Sequence, residues 1–232
     1  MSQSLRGVAQ YLGSDYAPVG LWNFNQTFKD LSGNGNDLTV EAGTVLWTDL
    51  CPGLRAYCGD GSTNLVCAST TPALAITGDL TVSVLAARYS QTAVKTMVNF
   101  GSATADANHN YLYTVQCQTD SRLTATHMSG TRTTQTTTSK GAMSVVQPSL
   151  ITQVRQNNVY LYYINGYLAS VSTALTAPSG GSLSNLRVGS SDVTSERWIG
   201  AIASVKICNF ALSDGQVLDE YNRTLGPMYG TR

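Results

Sequence analysis

The sequence predicts an all-β chain: two antiparallel sheets packed face to face, with one short C-terminal helix. Three observations carry this expectation. From Pro18 onward, apolar and polar residues alternate with a period of two in run after run, the spacing of half-buried strands. β-Branched and aromatic residues fill those runs, and Gly, Asn, Asp and Ser separate them. Only one stretch, near the C-terminus, changes to helical spacing.

Residues 1–17 carry no alternation and read as a polar arm ordered only against a partner, leaving 18–232 as one folded domain. "GLWNFN" sets Trp22 and Phe24 against Asn23 and Asn25, and "AGTVLWT" reads as extended. In "DLTVSVLA", Leu80, Val82 and Val84 share one face, opposite Thr81 and Ser83. "NYLYTVQC", "NVYLYYI", "SNLRVGS" and "IGAIASVKIC" repeat the pattern. Asn165-Gly166, between "VYLYYI" and "YLASVST", is the strongest two-residue hairpin signal in the chain. The threonine-rich "TATHMSGTRTTQTTTSK" has the β-branched content of polar, edge-like strands. The count comes to about a dozen strands, enough for a sandwich. In "LSDGQVLDEYNRTLG", Ser213 and Gln216 form a capping box, Val217, Leu218 and Tyr221 share a helical face, and Gly226 is the stop. Glu220 is expected to face solvent.

Composition narrows the partners. The 232 residues include 14 basic and 14 acidic ones, and 12% are charged, which leaves a neutral surface rich in Ser, Thr, Asn and Gln. No basic run favours nucleic acid or an anionic membrane. Apolar stretches such as "VSVLAA" are too short to span a bilayer, and the N-terminal residues lack the apolar region of a secretory signal. Cys51, Cys58, Cys67, Cys117 and Cys208 are odd in number, without a CxxC pair or a His at zinc spacing. They read as buried thiols of a protein made in a reducing compartment.

One stretch, "DLSGNGNDLTVE" (30–41), resembles a calcium loop: Asp30, Ser32, Asn34, Gly35 and Glu41 fall at positions one, three, five, six and twelve. An EF-hand needs helices on both sides, and the flanks are extended, so that reading fails. A phosphate-cradling glycine loop fails on Leu38 in the third glycine slot and on the missing helix. For nucleophilic chemistry the candidates are Cys117 with His109 and His127. The two histidines read as isolated surface residues; their convergence on Cys117 is the alternative. No G-x-S-x-G elbow is present.

"GLWNFN", "DLSGNGNDLTV", "GDLTVSV", "VYLYYINGYLASV", "NLRVGS" and "WIGAIASVKICNFALSDGQVLDEY" stand in the order and spacing of a known family. Over about residues 18–225 the chain resembles the laminin-G-like jelly roll of the concanavalin A-like lectin/glucanase superfamily. The resemblance implies two large curved sheets in a jelly-roll sandwich, with loops clustered at the rims. It implies less about activity, because members include carbohydrate-binding modules, adhesion domains, pentraxin-like proteins and glycoside hydrolases. The hydrolases carry E-x-D-x-x-E on one strand; here Glu41, Glu196 and Glu220 are the only glutamates and none has that spacing, so the chain is expected not to be an enzyme. In many such jelly rolls the D-x-S-G-N loop binds calcium, which would place Asp30, Gly33 and Asn34 at the ion. The second acid of that site would fall at Ala203, so the loop is either a calcium site short of one anion or a plain Asx-type turn. Trp47, Tyr89, Tyr111, Tyr113, Tyr160, Tyr162 and Tyr163 are the aromatics able to stack on sugars; by alternation Tyr160 and Tyr162 oppose Tyr163, so one set is core.

A fold that works outside cells, in a chain with unpaired thiols, points to a bacteriophage virion protein: head decoration, fibre or tail adhesion. Its expected partners are other virion subunits, further copies of itself as a homo-oligomer, and cell-surface carbohydrate. A free extracellular carbohydrate-binding lectin is the alternative.

Overall fold

The structure, a computed structural model, describes residues 10–67, 72–90, 92–103, 109–129, 132–137, 143–179, 185–191 and 194–229; at 102–103, 109–110, 128–129 and 132–137 it describes the backbone alone. In chain order the strands are β1 (Gly20–Asn23), β2 (Leu38–Ala42), β3 (Leu46–Cys51), β4 (Leu54–Asp60), β5 (Asn64–Cys67), β6 (Leu80–Arg88), β7 (Lys95–Ala103) and β8 (His109–Cys117). They continue as β9 (Leu123–Ser129), β10 (Arg132–Thr137), β11 (Ser149–Gln156), β12 (Val159–Ile164), β13 (Tyr167–Val171), β14 (Leu186–Val188) and β15 (Ile199–Cys208). The helices α1 (Asp214–Thr224) and α2 (Gly226–Tyr229) follow. The first sheet runs β13-β12-β11-β6-β15-β4-β3, with β1 also on β15; the second runs β10-β9-β8-β7-β14-β5-β2. Every ladder between named strands is antiparallel.

β15 organises the first sheet. On one side it pairs with β6 along its length, with Ala203 as an extra residue between Ile202 and Ser204. On the other side, β4 pairs with Ile199–Ile202 and β1 with Ser204–Ile207, so two strands share one flank and meet at that irregularity. The Phe24 N–H donates to the Ala203 carbonyl at 2.8 Å, which keeps the bulged residue bonded.

The alternation read from the sequence becomes the core. Trp22, Phe24, Leu80, Val82, Val84, Ile202, Val205 and Ile207 of the first sheet meet Leu65, Val98, Phe100, Tyr113, Val115 and Val188 of the second. Burial of this apolar area is the main stabilising term. Tyr160 and Tyr162 belong to this core; Tyr163, on the opposite face, is buried beneath α1 and donates its hydroxyl to Asp214 at 2.6 Å. Asn165 and Gly166 form the expected turn with φ of 52° and 80°, and the threonine-rich segment forms β9 and the edge strand β10.

The outer face of the first sheet carries the segments that the alternation left out. Leu12 is fully buried among Leu21, Leu54, Ala56, Leu85, Leu150, Ala201, Ala203 and Leu225. Residues 10–17, expected to order only against a partner, therefore lie on the domain's own sheet; residues 1–9 fall outside the described residues. α1 begins at the Ser213 capping box as expected. Gly226 is not a left-handed stop: Leu225 caps α1 in a right-handed conformation, and Gly226 opens the short turn α2.

Glu220 departs most from expectation. It is 5% exposed, ion-paired with the buried Lys206, and accepts a 2.6 Å bond from the Ser83 hydroxyl. Glu220 stands one turn from Val217 on the helix side turned to the sheet, and there Lys206 offers it a cation. Removing one partner of such a pair strands the other charge. Lys206→Met alone is expected to lower stability by about 3–5 kcal/mol, and Lys206→Met with Glu220→Leu to recover most of it, read from urea unfolding midpoints. At Gly166, φ is +80° and a Cβ would meet the Tyr221 Cβ at 2.9 Å, so Gly166→Ala is expected to cost about 2 kcal/mol or more in the same assay.

Candidate functional site

The second sheet turns Leu65, Val98, Tyr113, Val115 and Val188 inward, so the residues between them face out. There they form a polar row: Glu41 on β2, reached by Arg187 on β14 across the intervening β5, then Asn99 on β7, Thr114 on β8 and Thr126 on β9, the last three buried. Arg187 lies opposite Asn99, and Asn99 opposite Thr114. The Thr126 N–H donates to the Thr114 hydroxyl at 2.9 Å, in place of a ladder bond. Arg187 clamps Glu41 with two 2.8 Å bonds, which hold that carboxyl below its ordinary pKa. Glu41 and Arg187 mark where the row reaches solvent, with side chains 35% and 13% exposed. Nearby, Asn64 and Asn99 are buried, and among the described residues neither Oδ1 has a hydrogen-bond partner. A buried acceptor without a protein donor draws one from water or from a ligand.

Beside this row, the Glu196 carboxylate accepts from the hydroxyls of Ser191 (2.7 Å) and Thr96 (3.2 Å) and from the Gln116 amide (3.1 Å). The three glutamates thus have separate duties: Glu41 is clamped, Glu196 accepts from neighbours, and Glu220 lies on the far side of the sandwich.

The loop 30–36 has a different task from the one its residues advertised. β1 is bonded to β15 along one edge, and the loop covers the other. Leu21 donates its N–H to Asp30 Oδ1 at 3.0 Å, and its carbonyl accepts from the Leu31 N–H at 2.7 Å. The Val19 carbonyl receives the Ser32 hydroxyl and the Asn34 and Asn36 amides. The Asp30 carboxylate accepts from the N–H groups of Leu21, Ser32 and Asn36 and from the Ser32 hydroxyl, all at 2.9–3.0 Å. Gly33 and Gly35 supply the positive φ of the turn. Four donors point their positive ends at Asp30, and Asn34 turns its NH2 inward, so this donor set does not fit calcium. Among the described residues no three of His, Cys, Asp and Glu converge as metal ligands.

Ala203 is also not beside this loop. Leu21 lies opposite Lys206, and Ala203 sits three residues away, about 10 Å along the strand, inside the outer apolar cluster. The bulge displaced what linear matching had aligned.

His127 is buried rather than a surface residue. Its Nε2 lies 3.0 Å from the Thr176 carbonyl, which can only accept, so Nε2 carries the proton. Nδ1 then accepts the Tyr160 hydroxyl at 2.8 Å. Cys117 lies opposite Leu123, about 13 Å of strand from His127, and His109 begins the strand that Cys117 ends, so no nucleophile–base pair forms. The side chain of His109 lies outside the described residues. None of the five cysteines is in a disulfide; burial pushes the Cys117 thiol up and the Cys208 thiol to about 11, leaving both protonated and unreactive. Of the aromatics considered for stacking, Tyr111, Tyr113, Tyr160, Tyr162 and Tyr163 are buried, Trp47 stacks on Phe28 at 5.2 Å, and Tyr89 alone is exposed.

Residues 60–218 match the Laminin_G_3 family model, described as concanavalin A-like lectin/glucanases superfamily. No curated protein matches the chain in sequence. Among solved structures, domain 4 of AbnA, a GH43 extracellular arabinanase from Geobacillus stearothermophilus, in complex with arabinotriose, is similar with a TM-score of 0.68 at 17% identity, covering 88% of this chain and 98% of that one. The CBM40 of the Ruminococcus gnavus IT-sialidase, bound to alpha2,3 sialyllactose, is similar at 0.57 and 12%, covering 77% and 96%. The binding domain of Paraclostridial Mosquitocidal Protein 1 is similar at 0.67 and 15%; 89% of this chain aligns, spanning 52% of that structure. At these identities the likeness is one of fold.

Two outcomes are expected. Burial lowers the His127 pKa; the bond to Thr176 opposes this, and the Arg155 charge adds to it. The unfolded chain therefore binds the proton more readily, so stability is full above about pH 6.5 and falls as pH drops below it. His127→Gln flattens that part of the profile in urea denaturation at pH 5 to 7.5. Asp30→Ala lowers stability by about 2–3 kcal/mol by orphaning its donors, equally in calcium and in EDTA.

Proposed function

The chain belongs to the concanavalin A-like lectin/glucanases superfamily, and from that premise we propose that it is a non-catalytic binding module of a bacteriophage virion. The outer polar row of the second sheet carries the reading. The Arg187–Glu41 clamp is its solvent-reaching end, and the fixed charges there suit the O–H groups of an uncharged, hydroxyl-rich ligand, which both donate and accept. Cell-surface carbohydrate is that chemistry, and two similar folds hold bound oligosaccharides. The lack of an E-x-D-x-x-E strand in the sequence supports binding without cleavage.

The virion setting rests on five cysteines outside any disulfide in a fold of extracellular habit. With residues 10–12 embedded in the fold, the part left to dock on a particle is residues 2–9. Their deletion is expected to abolish incorporation, read by mass spectrometry of purified particles; unchanged occupancy removes the arm from this role. For the ligand, the isolated protein is expected to bind on a glycan array. Arg187→Ala is expected to weaken that binding about tenfold or more, while unfolding free energy changes by about 1 kcal/mol or less. Silence of the wild type on the array removes the glycan, and cleavage of a bound polysaccharide overturns the non-catalytic reading. A free lectin is distinguished by glycan binding in a protein absent from particles.

A further inference from the structure

The chain reverses direction between Leu12 and Gly20, and the reversal is strained. Tyr16 and Ala17 hold φ of +67° and +42°, a left-handed conformation that side chains bearing a Cβ rarely adopt, here twice in succession. Ala17 also precedes Pro18, whose ring favours extended backbone at the residue before it. Contacts with the domain hold the strain in place. The Tyr16 hydroxyl donates to Asp219 at 2.9 Å, the Lys206 ammonium lies 5.4 Å from its ring, and Asp15 pairs with Arg223 at 2.8 Å. Packing is incomplete: a cavity of about 80 Å³ remains between residues 10–16 and α1, floored by Lys206 and Glu220.

Ahead of this hinge, three residues are fitted closely. The Gln10 N–H donates to the Thr224 carbonyl at 2.9 Å, the Tyr11 hydroxyl to the Arg55 carbonyl at 2.6 Å, and Asn23 Nδ2 to the Leu12 carbonyl at 3.1 Å. Leu12 fills the apolar slot between Leu21, Leu54 and Leu225.

We infer that residues 10–12 exchange between copies, the Leu12 of one chain filling the slot of a second. The occupant is this chain's own segment because the slot's acceptors, donor and apolar walls match Gln10, Tyr11 and Leu12 one for one. Those contacts are the same whether the segment comes from its own domain or a neighbour's, while the hinge, once extended, gives up its left-handed pair. The eight-residue span from Leu12 to Gly20 reaches about 26 Å when extended, enough to cross to an adjacent copy.

Full-length chains carrying Gln10→Cys and Thr224→Cys separately are refolded together and oxidised. A disulfide joining positions 10 and 224 of different chains, mapped by peptide mass spectrometry, is the expected result. Light scattering is expected to show a dimer whose fraction rises with concentration. Tyr16→Gly with Ala17→Gly relieves the hinge and is expected to weaken dimerisation about tenfold or more. Deleting Ser14 and Asp15 prevents the reversal and is expected to make the dimer dominant. No inter-chain bond, or a folded, monomeric short-hinge chain, overturns the proposal. If the short-hinge chain does not fold, the glycine pair decides: dimerisation unchanged by it overturns the proposal as well.

Discussion

The sandwich depends on one irregularity in one strand. β15 lies between β6 on one side and two successive strands, β4 and β1, on the other, and it accommodates both because Ala203 is extra in its ladder. Without the added residue, the alternation that aims Ile202, Val205 and Ile207 into the core would point one side of the break outward. The bulge keeps both halves in phase. It also fixes where β1 starts, and β1 in turn fixes the loop that covers its open edge. That loop is the glycine-rich stretch with the appearance of a metal site. Its Asp, Ser and Asn side chains are spent on backbone groups that an edge strand would otherwise leave open.

Polar burial is divided between the two outer faces. On the first sheet it serves attachment: Lys206, Glu220 and Ser83 tie β15 and β6 to α1, under a lid formed by residues 10–17 and the two helices. On the second it forms a transverse row of arginine, glutamate, amides and hydroxyls, and among the described residues two buried amide oxygens lack a protein donor. The first arrangement is closed and costly to disturb; the second reaches solvent at the Arg187–Glu41 clamp.

Much of this was legible in the residues. Alternation placed Trp22, Leu80, Val82 and Val84 on the core face, Asn165-Gly166 made the turn, and Ser213 with Gln216 began the helix, because each depends on near neighbours in the chain. The misreadings share one cause. Glu220, His127, Ala203 and Leu12 each had a plausible local reading, as solvent-facing, surface, ligand-equivalent and partner-dependent. Each was decided by a residue far away in sequence: Lys206, Tyr160, the β1–β15 register and Leu225.

For "DLSGNGNDLTVE" the division is sharp. The sequence by itself determined that residues 30–36 form a tight turn, because glycine permits positive φ and Asp, Ser and Asn bond nearby backbone. It also determined an all-β sandwich, because a period of two buries one side of every strand. What occupies the Asp30 carboxylate was decided only by tertiary structure: a cation and an N–H are alternatives for the same oxygens, and the free edge of β1 supplies the N–H. The polar row was likewise a tertiary decision, since Glu41, Arg187, Asn99, Thr114 and Thr126 become neighbours only when β2, β14, β7, β8 and β9 stand in one sheet.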